Sequence, residues 1–263
     1  MISVTDAQLN AWLAGFILPL ARILGLIMVA PGFGHNSVPA QVKIGLGIFI
    51  TLAISPTLPA IDSLTLYSFQ GLMTLAMQTL VGIAMGFVMQ LVFAAVEMAG
   101  DLIGLQMGIG FATLYDPNTA SDSSVVSQFL SWLALLAFFA TNAHLALIGT
   151  LAESFQALPI TPHMLSSSGM KAVADSASVI FQAGVQLALP IIAVLLLTNI
   201  VLAVLTRSAP QMNIFAIGFP ITLGIGLIML DLALPYYAAQ TNALFQFTLQ
   251  SMQTLVGGFA GQR

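Results

Sequence analysis

Residues 70–114 read QGLMTLAMQTLVGIAMGFVMQLVFAAVEMAGDLIGLQMGIGFATL, a run without a proline whose only charges are Glu97 and Asp101. As one helix it would be about 65 Å long at 1.5 Å per residue, whereas the hydrocarbon of a bilayer is about 30 Å thick. The segment therefore either folds back on itself or projects beyond a membrane. No short alternation of apolar and polar residues marks it as a barrel strand, so the reading is helical.

Working outward, the same kind of run recurs. Upstream lie Leu9 to Ala30, with Arg22 inside it, and Val42 to Leu58, closed by Pro56 and Pro59. Between them, Pro31, Gly32, Gly34 and Pro39 break the chain. Downstream, Asp116, Pro117, Asn118 and the serines near Asp122 read as a loop, followed by Val125 to Leu151. Glu153 to Ser178 is the most polar stretch and divides the chain into 1–178 and 179–263. Beyond it come Val179 to Leu205, a turn at Pro210, and Ile214 to Leu234. In Tyr236 to Phe259, Phe245, Leu249, Met252 and Val256 recur at helical spacing while Gln246, Gln250 and Gln253 fall elsewhere. That pattern predicts an amphipathic helix. The expected fold is all-α, a membrane protein with about six hydrophobic segments.

Composition supports the same solvent. Hydrophobic residues make up 59% of the 263 and charged residues 5%, against about 25% charged in ordinary soluble domains. With a mean hydropathy of +1.02, the chain lacks the ionic shell that keeps a soluble fold dissolved, so lipid or partner subunits must cover it. The net charge of −4 contains no basic run, so nucleic acid is not an expected partner. Met1 to Asn10 has no basic region ahead of its apolar run, and the first segment is expected to stay in the mature protein. Cysteine is absent, and His35, His144 and His163 have no metal-ligand spacing. Serine elbow, phosphate loop and zinc-helix motifs are also missing. Neither a cofactor nor a metal is expected, and the chain does not read as an enzyme.

Several constellations have two readings. Gly82 and Gly86, and Gly100, Gly104 and Gly108, repeat every four residues and allow close backbone approach; the approach is either to another subunit or within the chain. Glu97 and Asp101 share a helix face. They belong either to a proton or cation pathway or to a helix end or fold-back that reaches water, and the membrane-length run before them favours the second. Arg22, Glu97, Asp101 and Asp231 are the candidate buried charges, and Arg22 could pair with an acidic residue. Asp231, three residues before Leu234 and Pro235, is either a buried polar contact to a partner or, as favoured, a helix end near the interface. Met107, Gly108, Gly110, Phe111, Leu114, Tyr115, Asp116 and Pro117 combine glycines with bulky apolar residues. Such a stretch is either an irregular segment buried at membrane depth or a helix end followed by a turn.

Four stretches carry a family resemblance: Arg22-Ile23-Leu24-Gly25 leading to Ala30-Pro31-Gly32-Phe33-Gly34; Glu97 to Gly110 with Gln106-Met107-Gly108; Tyr115-Asp116-Pro117; and Arg207-Ser208-Ala209-Pro210-Gln211-Met212-Asn213-Ile214-Phe215, continuing to Gly218-Phe219-Pro220. With these the chain resembles, over essentially its whole length, the FliR/MopE/SpaR family of type III secretion export-gate components. The resemblance implies a non-enzymatic subunit of kinked helical hairpins in the bacterial inner membrane. Its assembly surrounds a narrow protein-conducting pore and is raised partly out of the bilayer plane. The implied partners are the P-type and Q-type gate subunits (FliP, FliQ), the B-type and A-type export proteins (FlhB, FlhA), unfolded protein substrates and membrane lipid. It also implies that residues 1–178 are P-like and 179–263 Q-like, and that Met107 to Pro117 is a pore-closing loop with Phe111, Leu114 and Tyr115 as plug residues. The turn holding Arg207, Pro210, Gln211, Asn213, Phe215, Gly218 and Pro220 is expected to close the Q-like hairpin and touch a neighbouring subunit. The alternative from another class is an ion-coupled secondary transporter using Glu97, Asp101 or Asp231, which would call for inverted repeats.

Overall fold

A computed structural model describes residues 5–58, 67–109, 124–161, 166–209 and 214–260. Every regular element among them is helical: α1 (Asp6–Val29), α2 (Ala40–Ile54) followed by a 3₁₀ turn (Ser55–Thr57), α3 (Phe69–Met107), α4 (Val125–Ala140), α5 (Ala143–Ala157), α6 (Ser167–Ser176), α7 (Ser178–Ser208) and α8 (Ile214–Phe259). Five helices are long and apolar enough to cross a membrane, or up to six if α4 and α5 count as one broken span. The all-α membrane fold is thus as expected from the apolar runs.

The run that opened the sequence reading is a single helix. The 39 residues of α3 extend about 58 Å and do not fold back, so Glu97 and Asp101 lie inside a helix and not at its end. Similarly, Ile214–Leu234 and the amphipathic stretch after it are one helix, α8, with Pro220 and Pro235 inside. Asp231 therefore does not mark a helix end. Proline removes one backbone donor and crowds the carbonyl four residues earlier, but within packed helices neighbours re-satisfy the freed group. The run Val125–Leu151, in contrast, is broken. Asn142 adopts a left-handed conformation (φ 58°) between α4 and α5, a conformation that asparagine tolerates better than most residues.

By contacts, the chain forms two units. Unit 1 comprises residues 1–91, 142–177 and 246–263; unit 2 comprises 92–141 and 178–245. This division describes packing, and it is distinct from the assignment of 1–178 and 179–263 to subunit likenesses.

Unit 1 is organised by Arg22. Its side chain is fully buried, and its partners are neutral. Nε donates to Gln78 Oε1 at 2.8 Å, Nη1 to the carbonyl and Oγ of Ser154 at 3.0 and 3.1 Å, and Nη2 to the Leu158 carbonyl at 2.9 Å. The guanidinium also lies over the Phe155 ring, 4.2 Å from its centroid. In place of the acidic partner that the sequence allowed stands the C-terminal end of α5, whose last carbonyls carry the negative end of the helix dipole. Small residues seat α1 on α3. A Cβ on Gly82 would collide with the Arg22 carbonyl, one on Gly86 would lie 2.8 Å from the Leu26 carbonyl, and one on Gly25 would lie 2.5 Å from the Thr79 carbonyl. This glycine pair serves packing within the chain.

Unit 2 has an aromatic centre. The rings of Phe93, Phe138 and Phe245 lie 5.4–5.9 Å apart, centroid to centroid, a spacing that adds to their burial. Beyond Phe245, α8 passes into unit 1; along it Phe245, Leu249, Met252 and Val256 are buried and Gln246, Gln250 and Gln253 are exposed, each set falling on the face its spacing assigns. On α7, no residue after Leu195 is buried, and Leu196, Leu197, Ile200, Val201, Val204 and Leu205 are exposed. Apolar area on that scale needs lipid or another protein.

Candidate functional site

The end of α3 is built as a fixed base for the segment that follows. Gly108 has φ 85°. Its N–H donates to the Leu105 carbonyl at 3.1 Å, and the Ile109 N–H reaches back to the Gly104 carbonyl at 3.0 Å. This pair of bonds around a left-handed glycine is the Schellman arrangement, which terminates a helix while satisfying its last carbonyls. Gly108 therefore leaves the Gly100–Gly104 stripe; it stops the helix and does not extend its small face. A Gly108→Ala substitution is expected to cost about 1 kcal/mol, because a Cβ disfavours the left-handed region, and Gly108→Asn appreciably less. Thermal unfolding of the purified chain in detergent measures the difference.

Met107, one residue earlier, is fully buried. Its side chain fills the space left by the missing Cβ of Gly226, where a Cβ would come within 2.5 Å of Met107 Cγ. The Met107 carbonyl accepts from Thr222 Oγ1 at 3.2 Å, a hydroxyl whose one proton is shared with the carbonyls of Gly218 (3.2 Å) and Phe219 (3.1 Å). Gly218, Thr222, Gly226 and Leu230 form a buried i, i+4 stripe on α8, and that stripe holds the end of α3. Met107 is thus an anchor below the candidate loop.

The chain returns to the same place. Asp101 Oδ1 accepts the Ser124 N–H at 3.1 Å, and Ser124 Oγ donates to the Gly100 carbonyl at 3.4 Å. Ser124 then N-caps α4 by accepting the Ser127 N–H at 3.1 Å. Gly100 and Gly104 make room for this return. A Cβ on Gly100 would collide with Ser127 Cα, and one on Gly104 would lie 2.9 Å from Ser124 Oγ. Asp101 is thereby a staple for the returning chain, and both ends of the intervening segment rest on the last turns of α3.

Of the remaining candidates, Gly110, Phe111, Leu114, Tyr115, Asp116 and Pro117 lie outside the described residues, as do Pro210, Gln211 and Asn213. Arg207 is exposed in the last turn of α7, where a cation suits the helix dipole. Phe215 lies in the first turn of α8, Gly218 is buried and Pro220 is exposed. The four charges considered together separate: Arg22 is fully buried, Asp101 half-buried, and Glu97 and Asp231 exposed on their helices. Sequence reasoning missed Thr222, Gly226 and Ser124. The small residues at 218, 222 and 226 were the available signal for the first two.

Residues 13–248 match the family described as bacterial export proteins, family 1. The flagellar biosynthetic protein FliR of Escherichia coli K12 is 44% identical over 245 residues, covering 93% of this chain and 94% of its own. FliR of Pectobacterium carotovorum is 43% identical with the same coverage. FliR of Bacillus subtilis is 30% identical over 244 residues, 92% of this chain and 94% of its own. A match across nearly the full length takes in the apolar helices together with the end of α3 and the start of α4: the chain belongs to the bacterial export proteins, family 1, among the FliR flagellar biosynthetic proteins.

Proposed function

We propose that this component of the flagellar export apparatus, whose apolar helices and FliR relatives support a site in the bacterial inner membrane, is a non-enzymatic core subunit of the export gate. In this reading it helps form, and close, the pore through which unfolded flagellar proteins pass. The observation that carries the closing role is the two-ended base on α3. Gly108, over Met107, starts the segment and the Asp101–Ser124 staple ends it, so residues 109–123 span from one small platform. A loop of that kind, rich in apolar side chains, blocks ions by dewetting a constriction and yields to a passing polypeptide. Phe111, Leu114 and Tyr115 supply the bulk. Residues 179–263 form the Q-like part and 1–178 the P-like part. P-type and Q-type subunits cover the exposed apolar face of α7, with B-type and A-type export proteins adjoining and part of the assembly raised from the bilayer. Arg207, at the end of α7, and Phe215 to Pro220, at the start of α8, touch a neighbouring subunit.

Removing residues 111–115 is expected to leave assembly intact and to make the assembled complex conduct small ions, read as membrane conductance or ion-sensitive growth. An unchanged leak in an assembled complex removes the plug assignment. Failure of the intact chain to co-purify in mild detergent with P- and Q-type subunits would refute the gate reading itself.

A further inference from the structure

Two helices of unit 2 are weakened at one level. Pro190, inside α7, has no N–H to give the carbonyl four residues earlier, which is that of Gln186. That carbonyl instead accepts from the hydroxyl of Tyr236 on α8, at 3.3 Å. Tyr236 directly follows Pro235, and Pro235 deprives the Asp231 carbonyl in the same way. Gln186 lies 22 residues before the end of α7 at Ser208, and Tyr236 lies 22 residues after the start of α8 at Ile214. A connection this short returns the second helix antiparallel to the first, so the two gaps in backbone bonding, 186–190 and 231–235, face one another. Next to them the hydroxyl of Tyr237 is buried and has no hydrogen-bond partner among the described residues. Sharp bends in helices arise where proline removes a bond, and here both limbs of a hairpin lose one at the same height.

Packing of α7 thins beyond that height, after Ile191 and Leu195. On the base side of α7, Ala183, Leu187 and Ala188 are buried, and Gly184 lies against α3, where a Cβ would come within 3.0 Å of the Ala95 carbonyl. On the tip side, burial in α7 ends at Leu195. The tip-side part of α8 keeps the Gly218–Thr222–Gly226 stripe, and that stripe holds Met107.

We infer that the α7–α8 hairpin pivots at the Pro190–Pro235 level, with the Tyr236 hydroxyl as its latch, and that its tip arm carries the end of α3 through Thr222, Gly226 and Met107. The pivot rests on unit 2 alone. Tyr236 is a positioning residue in this scheme. It re-satisfies the carbonyl orphaned by Pro190, and releasing it lets the arm, and Met107 with it, shift.

Because the chain has no cysteine, Val185→Cys and Val204→Cys, at exposed positions on either side of Pro190, can be spin-labelled uniquely in the purified chain in detergent, before partner subunits cover α7. Their backbones are about 28 Å apart along an unbent helix, within range of pulsed dipolar spectroscopy. Tyr236→Phe is expected to raise the population of shorter distances about fivefold, the effect of losing one neutral hydrogen bond. Pro190→Ala restores the missing donor and is expected to narrow the distribution, alone and together with Tyr236→Phe. Distance distributions that ignore both substitutions overturn the pivot.

Discussion

Arg22→Ala is expected to destabilise the chain by about 3–5 kcal/mol, through buried polar groups left without partners and a cavity where the guanidinium stood. The substitution strands the Leu158 carbonyl and the side-chain oxygen of Gln78, and leaves the Ser154 carbonyl with the Leu158 N–H alone. It also removes the cation from the end of α5 and the platform over Phe155. Arg22→Lys retains the charge but not the planar fork that reaches three places at once, so it is expected to recover only part of the loss. Arg22→Met restores volume without donors and is expected to resemble alanine more than lysine. Thermal unfolding in detergent, together with the yield of assembled complex, ranks the three. Equal stability of the alanine variant and the parent would show that the α5 carbonyls find other donors and that Arg22 does not organise unit 1.

The second large effect is steric. Gly82→Val is expected to cost more than about 3 kcal/mol, since overpacking a close backbone contact forces whole helices to move. On Gly82 even a Cβ meets the Arg22 carbonyl, with the Leu26 nitrogen 2.9 Å away; the two γ-methyls have nowhere to go. The contrast is Gly149, on the exposed side of α5, where a Cβ would meet nothing within 4 Å. Gly149→Ala is expected to gain up to about 1 kcal/mol from helix propensity. If Gly82→Val assembled and melted like the parent, the contact between α1 and α3 would have to be looser than its geometry implies.

Much of the fold was legible because its cause is local. Apolar runs name the helices, and the spacing of Phe245, Leu249, Met252 and Val256 names the buried side of the last one. What was not legible depends on partners remote in sequence. Arg22 is 132 and 136 positions from Ser154 and Leu158, and two of its acceptors are main-chain carbonyls, which no residue type advertises. The glycine repeats announce close approach without saying to what; the answers are α1 for Gly82 and Gly86, and the start of α4 for Gly100 and Gly104. Pro235 misled because proline is a stop signal in water, whereas inside α8 packing carries the helix through it. Asp101 read as a break in an apolar run because its true partner, the Ser124 N–H, lies across a loop.

The interleaving of the two units sets an order of completion. Unit 1 takes in 1–91, yet it is completed by 246–263. There the Ser166 N–H finds the Phe259 carbonyl at 3.4 Å, and Gly169 takes up the Phe259 ring. During translation α6 must therefore wait for its partner until Phe259 has been made. A chain cut short upstream of Phe259 would leave α6 without its closing piece.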